Sequence, residues 1–128
     1  MIAVDTSVWV SALRGRPDDK TAPTLTALLD GDEVVLPLPV RIELLAGAAL
    51  SDRDRLKRSL SALPVVIPTE HTWALVQDWT ESAANAGFRF GLTDLLIGAL
   101  ASELGALVWS LDADFERLAA LELVRLYG

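Results

Sequence analysis

A chain of 128 residues has the length of one domain, residues 1–128, and is long enough to bury a core. It contains no cysteine, which excludes a disulfide framework and a thiolate metal site, and its 11 basic and 18 acidic residues leave a net charge of −7, against the basic balance expected of a nucleic-acid binder. The N-terminus lacks a basic stretch followed by a long apolar run, and no apolar run would span a bilayer, so a soluble, cytoplasmic protein without a signal peptide is expected.

Ile2 to Val4 is short and apolar and reads as a buried strand. Asp5 ends it, and a helical stretch over Val8 to Leu13 follows, with Thr6 or Ser7 as N-cap. Gly15 to Asp19 is a polar break. A helix over Thr24 to Leu29 stops at Asp30-Gly31-Asp32, and Glu33 to Leu36 is a second strand. Pro37 and Pro39 bracket a turn into a helix over Ile42 to Leu50 that carries Glu43. Ser51-Asp52-Arg53-Asp54 resembles a capping box and opens a charged helix to about Leu63. Val65 to Ile67 is a third strand. Thr69-Glu70 starts the longest helix, with Trp73, Val76, Trp79, Ala83 and Ala86 on one face.

After a loop from Phe88 to Leu92, Thr93 is the expected cap of a helix over Asp94 to Leu104 that is apolar nearly all round and therefore buried. Leu107 to Ser110 is a fourth strand, Asp112 to Leu121 a short helix, and Leu123 to Leu126 a last strand. Alternating strands and helices imply a mostly parallel sheet covered on both faces, a three-layer α/β/α sandwich.

In such sheets, ligands bind in the crevice beyond the carboxyl ends of the strands. Asp5 and Asp112 follow strands, Asp94 follows a loop into a buried helix, and Glu43 has mostly apolar neighbours. Each has a plainer reading. Asp5, Asp112 and Asp114 are equally N-caps, Glu43 equally a solvated helix position, and Asp94 equally a favourable charge at a helix N-terminus, a contribution of about 0.3–1 kcal/mol. The dipole accounts for an acid in the first turn but not for one on so buried an element. Carboxylates in close quarters raise one another's pKa, and a cation removes that penalty. Oxygen-only ligands suit Mg²⁺ or Mn²⁺ rather than zinc, and the expectation is metal-assisted cleavage of a phosphodiester. The lone histidine, His71, starts a helix and reads as capping or surface. Arg41, Arg89 and the cluster Arg53, Arg55, Lys57 and Arg58 are candidate phosphate contacts or, equally, a solvated face.

Val4-Asp5-Thr6-Ser7, Ile42-Glu43-Leu44, Thr93-Asp94-Leu95-Leu96-Ile97 with Ala99 and Ala101, and Ser110-Leu111-Asp112-Ala113-Asp114-Phe115 occur in an order and spacing that resemble the PIN-domain ribonucleases, and among them the VapC-like toxins of toxin–antitoxin modules. The resemblance covers essentially the whole chain. It implies Asp5, Glu43, Asp94 and Asp112 as an acidic quartet, with Asp5, Asp94 and Asp112 on Mg²⁺ or Mn²⁺. It implies support from Thr6, Ser7, Ser110 and Asp114, and Asp114 as a residue that shares or replaces the role of Asp112. Many members carry Thr where Ser110 stands, and the hydroxyl is retained. The resemblance also implies single-stranded or looped RNA as substrate, an antitoxin protein as partner, and a homodimer.

Composition bears on the partner: 52% of residues are hydrophobic and the mean hydropathy is +0.37. A domain of this size buries only about two-thirds of its unfolded-chain surface, so apolar contact patches are expected outside. The expected sources are the helices over Val8 to Leu13, Thr24 to Leu29 and Ile42 to Leu50. Two rivals remain: a non-toxin nuclease of the same kind, or a non-catalytic interaction module whose acids are all caps. A receiver-type domain needs a lysine near its last strands, and the lysines here are Lys20 and Lys57.

Overall fold

The computed structural model describes all of residues 1–128. Four strands, β1 (Ile2–Val4), β2 (Val34–Pro37), β3 (Val65–Val66) and β4 (Leu107–Trp109), form one all-parallel sheet in the order β3-β2-β1-β4. Ile2, Ala3 and Val4 pair with β4 at Leu107, Val108 and Trp109, and Ile2 and Ala3 also pair with Val34 and Val35 of β2. The chain winds outward from β1 through β2 to β3, then returns to the other side of β1 to lay down β4. The winding sense reverses between β1 and β4, and the carboxyl ends of those two strands define the crevice where such sheets bind ligands.

Seven helices cover the sheet: α1 (Thr6–Arg14), α2 (Thr21–Asp30), α3 (Leu38–Gly47), α4 (Leu50–Ser61), α5 (Glu70–Asn85), α6 (Leu92–Leu104) and α7 (Ala113–Ala120). Helix α3 starts directly on the end of β2, with Pro39 in its first turn, where a missing N–H costs nothing. Helix α6 is buried from Leu95 to Ala101. Gly98 lets it sit close to its neighbours: a Cβ there would lie 3.0 Å from Val124 Cγ1 and 3.1 Å from Trp79 Cζ3. A mid-helix glycine costs roughly 0.5–1 kcal/mol relative to alanine, and here it secures the tight approach.

Several expected boundaries move. Asp5, rather than Thr6 or Ser7, caps α1, its side chain accepting from the Ser7 N–H. Ser51 lies inside α4, whose cap position is Ala49, so the box over residues 51–54 does not form. Gly91, not Thr93, precedes α6. On α5 the buried stripe is Thr72, Val76, Trp79 and Ala83, and Trp73 is exposed. Thr69 and Thr72 cap that helix reciprocally, and the Thr72 hydroxyl donates to Glu103 Oε1 at 2.6 Å. The last expected strand shrinks to a single bridge between Val108 and Leu126, made by the Val108 N–H to the Arg125 carbonyl and the Tyr127 N–H to the Val108 carbonyl.

Candidate metal centre at the β1–β4 crevice

Asp5 sits one residue past β1 and is 5% exposed. Three donors meet on its Oδ2: Ser7 Oγ at 2.7 Å, Ser110 Oγ at 2.8 Å and the Ser7 N–H at 3.4 Å. The two serines continue the chain of contacts. Ser7 Oγ accepts from the Leu111 N–H at 3.0 Å, and Ser110 Oγ accepts from the Asp112 N–H at 3.0 Å. One carboxylate oxygen thereby fixes the start of α1 against the loop leaving β4. All three donors share Oδ2, which leaves Oδ1 without a protein donor.

Asp94, in the first turn of α6, is partly buried. Its carboxylate forms a triad with Asp112 and Asp114, one oxygen of each lying within 4.8 Å of the others. Burial pushes the Asp94 pKa from 3.8 up to about 6, and the charges of Asp5, Asp112, Asp114 and Glu43 add to the shift. Asp112 caps α7, with Oδ1 accepting from the Asp114 N–H at 3.0 Å. The Arg117 guanidinium, one turn further on, holds Asp114 Oδ1 at 2.6 Å. Glu43, exposed on α3, accepts from the Thr6 hydroxyl at 2.7 Å. Five acids from four elements therefore meet at the strand ends. Three present oxygens close enough to share one ion, while Asp5 and Glu43 stand beside them within electrostatic reach of Asp94. An all-oxygen set fits Mg²⁺ or Mn²⁺.

The PIN domain family matches residues 2–121. The chain belongs to the PIN-domain family. It is 31% identical over 126 residues to Ribonuclease VapC18 of Mycobacterium tuberculosis, a match covering 94% of this chain and 89% of that protein. Among solved structures, VapBC2 from Rickettsia felis, bound to a DNA fragment from its promoter, superposes with a TM-score of 0.80 at 21% identity, covering 99% of this chain and 98% of that one. VapBC-1 from nontypeable Haemophilus influenzae gives 0.78 at 21% identity, covering 100% and 98%. At that identity the superpositions speak to the PIN fold alone.

None of the basic candidates hydrogen-bonds to one of the five acids, and Arg55 lines one groove with Glu43. Arg53, Arg55, Lys57 and Arg58 are all exposed on α4, and Arg55 pairs with Asp52 at 3.3 Å. Arg41 is partly buried on α3, while Arg89 is exposed between Phe88 and Phe90, whose rings stack at 6.0 Å. Arg117 was not singled out by the sequence, although its i,i+3 spacing from Asp114 on a short helix is the readable signal.

A second feature lies on the other side of α1. A groove of about 690 Å³ runs between α1, α3 and α4, with Trp9, Leu13, Leu29, Leu44, Leu56 and Leu63 among its walls. Glu43 also lines it. The three helices expected to carry apolar contact surface all contribute. Trp9 Nε1 is the one buried side-chain nitrogen or oxygen that lacks a hydrogen-bond partner.

No helix is long and apolar enough to cross a membrane.

Proposed function

We propose that residues 1–128 form a single nuclease domain, a Mg²⁺- or Mn²⁺-dependent endoribonuclease that acts in the cytoplasm as the toxin of a toxin–antitoxin pair. The observation that carries this is the acidic triad at the β1–β4 crevice, with Asp94 pushed up to about 6 mainly by burial and then by four neighbouring acids. A site of caps alone does not need five acids within reach of one another. The 31% identity to a ribonuclease along nearly the whole chain supports the same reading.

In this reading Asp94, Asp112 and Asp114 hold the metal, and Asp5 completes the site through its undonated Oδ1. A divalent ion bound there supplies Lewis acidity toward a phosphate oxygen and a lower pKa for an attacking water. The protein contributes orientation. Ser7 and Ser110 fix the Asp5 carboxylate, the Asp114 N–H and Arg117 fix the two α7 acids, and Thr6 holds Glu43, which orients the attacking water. Burial and the neighbouring acids make the Asp94 charge costly in the metal-free site, and a cation relieves that cost. The substrate is single-stranded or looped RNA, whose unstacked segments proteins read. Arg41, Arg89 and the α4 cations are the proposed outer phosphate contacts.

The groove is the proposed antitoxin site. Glu43 lines it and is bonded to Thr6, next to Asp5, so a basic side chain on a segment lying in the groove reaches the acids and competes with the metal. A net charge of −7 speeds the encounter with such a segment. Exposed Ile42 and Leu50, at 56% and 82%, support self-association.

The test is cleavage of a labelled RNA by the purified protein. Activity is expected with Mg²⁺ or Mn²⁺. None is expected with Ca²⁺, whose larger, more flexible shell positions water poorly. Undiminished cleavage in excess EDTA overturns the metal-dependent reading.

A further inference from the structure

A polar pocket of about 400 Å³ opens beside the crevice, lined by Ser7, Val10, Ser11, Arg14, Arg16 and Leu111. Four of these lie on one face of α1, because Ser7, Val10, Ser11 and Arg14 are spaced by three, one and three residues. Gly15 takes the left-handed conformation, at φ 59° and ψ 55°, as it ends the helix. That turn, which glycine adopts without strain, brings Arg16 back to the same pocket as Arg14.

The pocket shares two walls with the acidic centre. Ser7 donates to Asp5 at 2.7 Å, and Leu111 is the residue between Ser110 and Asp112. The hydroxyls are already engaged: Ser7 Oγ with Asp5 and Ser11 Oγ with Asp19 at 3.2 Å. The two guanidiniums are not. The chain's two ion pairs are Arg55–Asp52 and Arg117–Asp114, so neither Arg14 nor Arg16 is in an ion pair, although Asp19 lies within electrostatic reach of Arg16. Arg14 gains from the dipole at the end of α1, but that benefit needs no partner at Arg16.

A polyanion approaching five acids on a chain of charge −7 needs cations close by. Two arginines without an ion pair, in a pocket that shares Ser7 with the acidic centre, meet that need. We infer that this pocket is a phosphate subsite, in which Arg14 and Arg16 hold the RNA phosphodiester neighbouring the one aligned at the acidic centre. The inference rests on the ribonuclease reading above. Arg14 also lines the apolar groove, so a protein segment seated there and the RNA strand compete for one guanidinium.

The experiment is fluorescence anisotropy with a short fluorescein-labelled single-stranded RNA, in Ca²⁺ so that the strand stays whole, across a series of salt concentrations. Both arginines are exposed, so the double variant R14Q/R16Q keeps the fold, which a thermal melt checks. Single-stranded RNA loses about 0.7 from the slope of log K against log salt for each phosphate no longer neutralised, so losing the one phosphodiester held by the pair is expected to flatten it by about 0.7. Calorimetric Mn²⁺ affinity should stay at the wild-type value. R125Q removes one arginine charge at the amino end of β4, away from the strand ends that carry the acids, where Arg125 bonds the Gly105 carbonyl, and should leave the slope unchanged. Wild-type affinity and slope in R14Q/R16Q, or loss only of a groove-binding protein partner, overturns the subsite while leaving the ribonuclease reading intact. Failure of the wild-type protein to bind any RNA overturns both.

Discussion

The crevice and the groove lie on either side of α1 and are held by different forces. At the crevice, polar side chains are tied to one another and to the buried sheet: Asp5 fastens two serines, and those serines fasten the loop after β4. Across α1, the outer wall of the groove is α4, a charged helix whose one fully buried side chain is Leu60, with Leu56 half-buried. The crevice is ordered but electrostatically uneasy, with five acids and no internal cation except Arg117. The groove is electrostatically quieter, its charged lining residues being two bases, Arg14 and Arg55, and two acids, Glu43 and Asp52, and it is mainly apolar and open. The first gains from a cation and the second from an apolar surface, so each is completed from outside by a different chemistry.

The largest effect tests the uneasy side. Asp94→Asn should lower RNA cleavage by at least about 100-fold, since loss even of an outer partner at a metal site costs 10–100-fold. The same variant should change the pH dependence of stability. The folded pKa of Asp94, about 6, lies above its unfolded value of 3.8, so the native state binds this proton more tightly. The Asp94 contribution is therefore fully present below pH 3.8 and is lost as pH rises through 6. Metal-free Asp94→Asn should lack that decline and be at least as stable at neutral pH, as urea melts between those limits will measure. A fully active variant, or one with an unchanged stability profile, breaks the contrast.

On the quiet side, Leu60→Ala should cost about 2–5 kcal/mol, because the side chain is 1% exposed and its loss opens a cavity beneath α4. Denaturant unfolding reads this directly. A loss under about 1 kcal/mol would mean that α4 contributes little to the fold. Mn²⁺ at a hundredfold excess over its Kd should stabilise the wild-type protein by about 2.7 kcal/mol at neutral pH. That gain should fall away below pH 6, where protons compete for Asp94. A thermal shift independent of pH would move the ion away from Asp94. The smallest effect is expected at Arg55→Ala. Its pair with Asp52 is well exposed, so stability should change by no more than about 0.5 kcal/mol.

The elements that carry the acids were legible because their signals are local. Ile2 to Val4 is an apolar triplet ended by an acid, and α6 is so apolar that Asp94 stands out on it. Boundaries were less legible where a better partner lay elsewhere. Thr6 and Ser7 both resemble caps, yet Asp5 takes that role because the strand end already holds it beside the Ser7 N–H. Of the expected stripe Val76, Trp79 and Ala83 are buried, with Trp79 against α6 at Gly98, but the buried face continues through Thr72 and leaves Trp73 exposed.

By itself the sequence determined the alternation of strands and helices, the burial of α6, the candidate acids and an all-oxygen donor set, since each depends on residue type and short spacing. Only the tertiary structure decided which carboxylates share a centre. Asp94 and Asp112 are separated by most of α6 and all of β4, and Asp5 meets Ser110 across 105 positions because β1 and β4 are parallel neighbours. It likewise decided that Asp112 and Asp114 both turn toward Asp94, that Arg117 neutralises one of them, and that Arg14 and Arg16 close a pocket against Leu111. Distances between residues far apart in the chain are fixed by sheet order and helix packing, which no local pattern encodes.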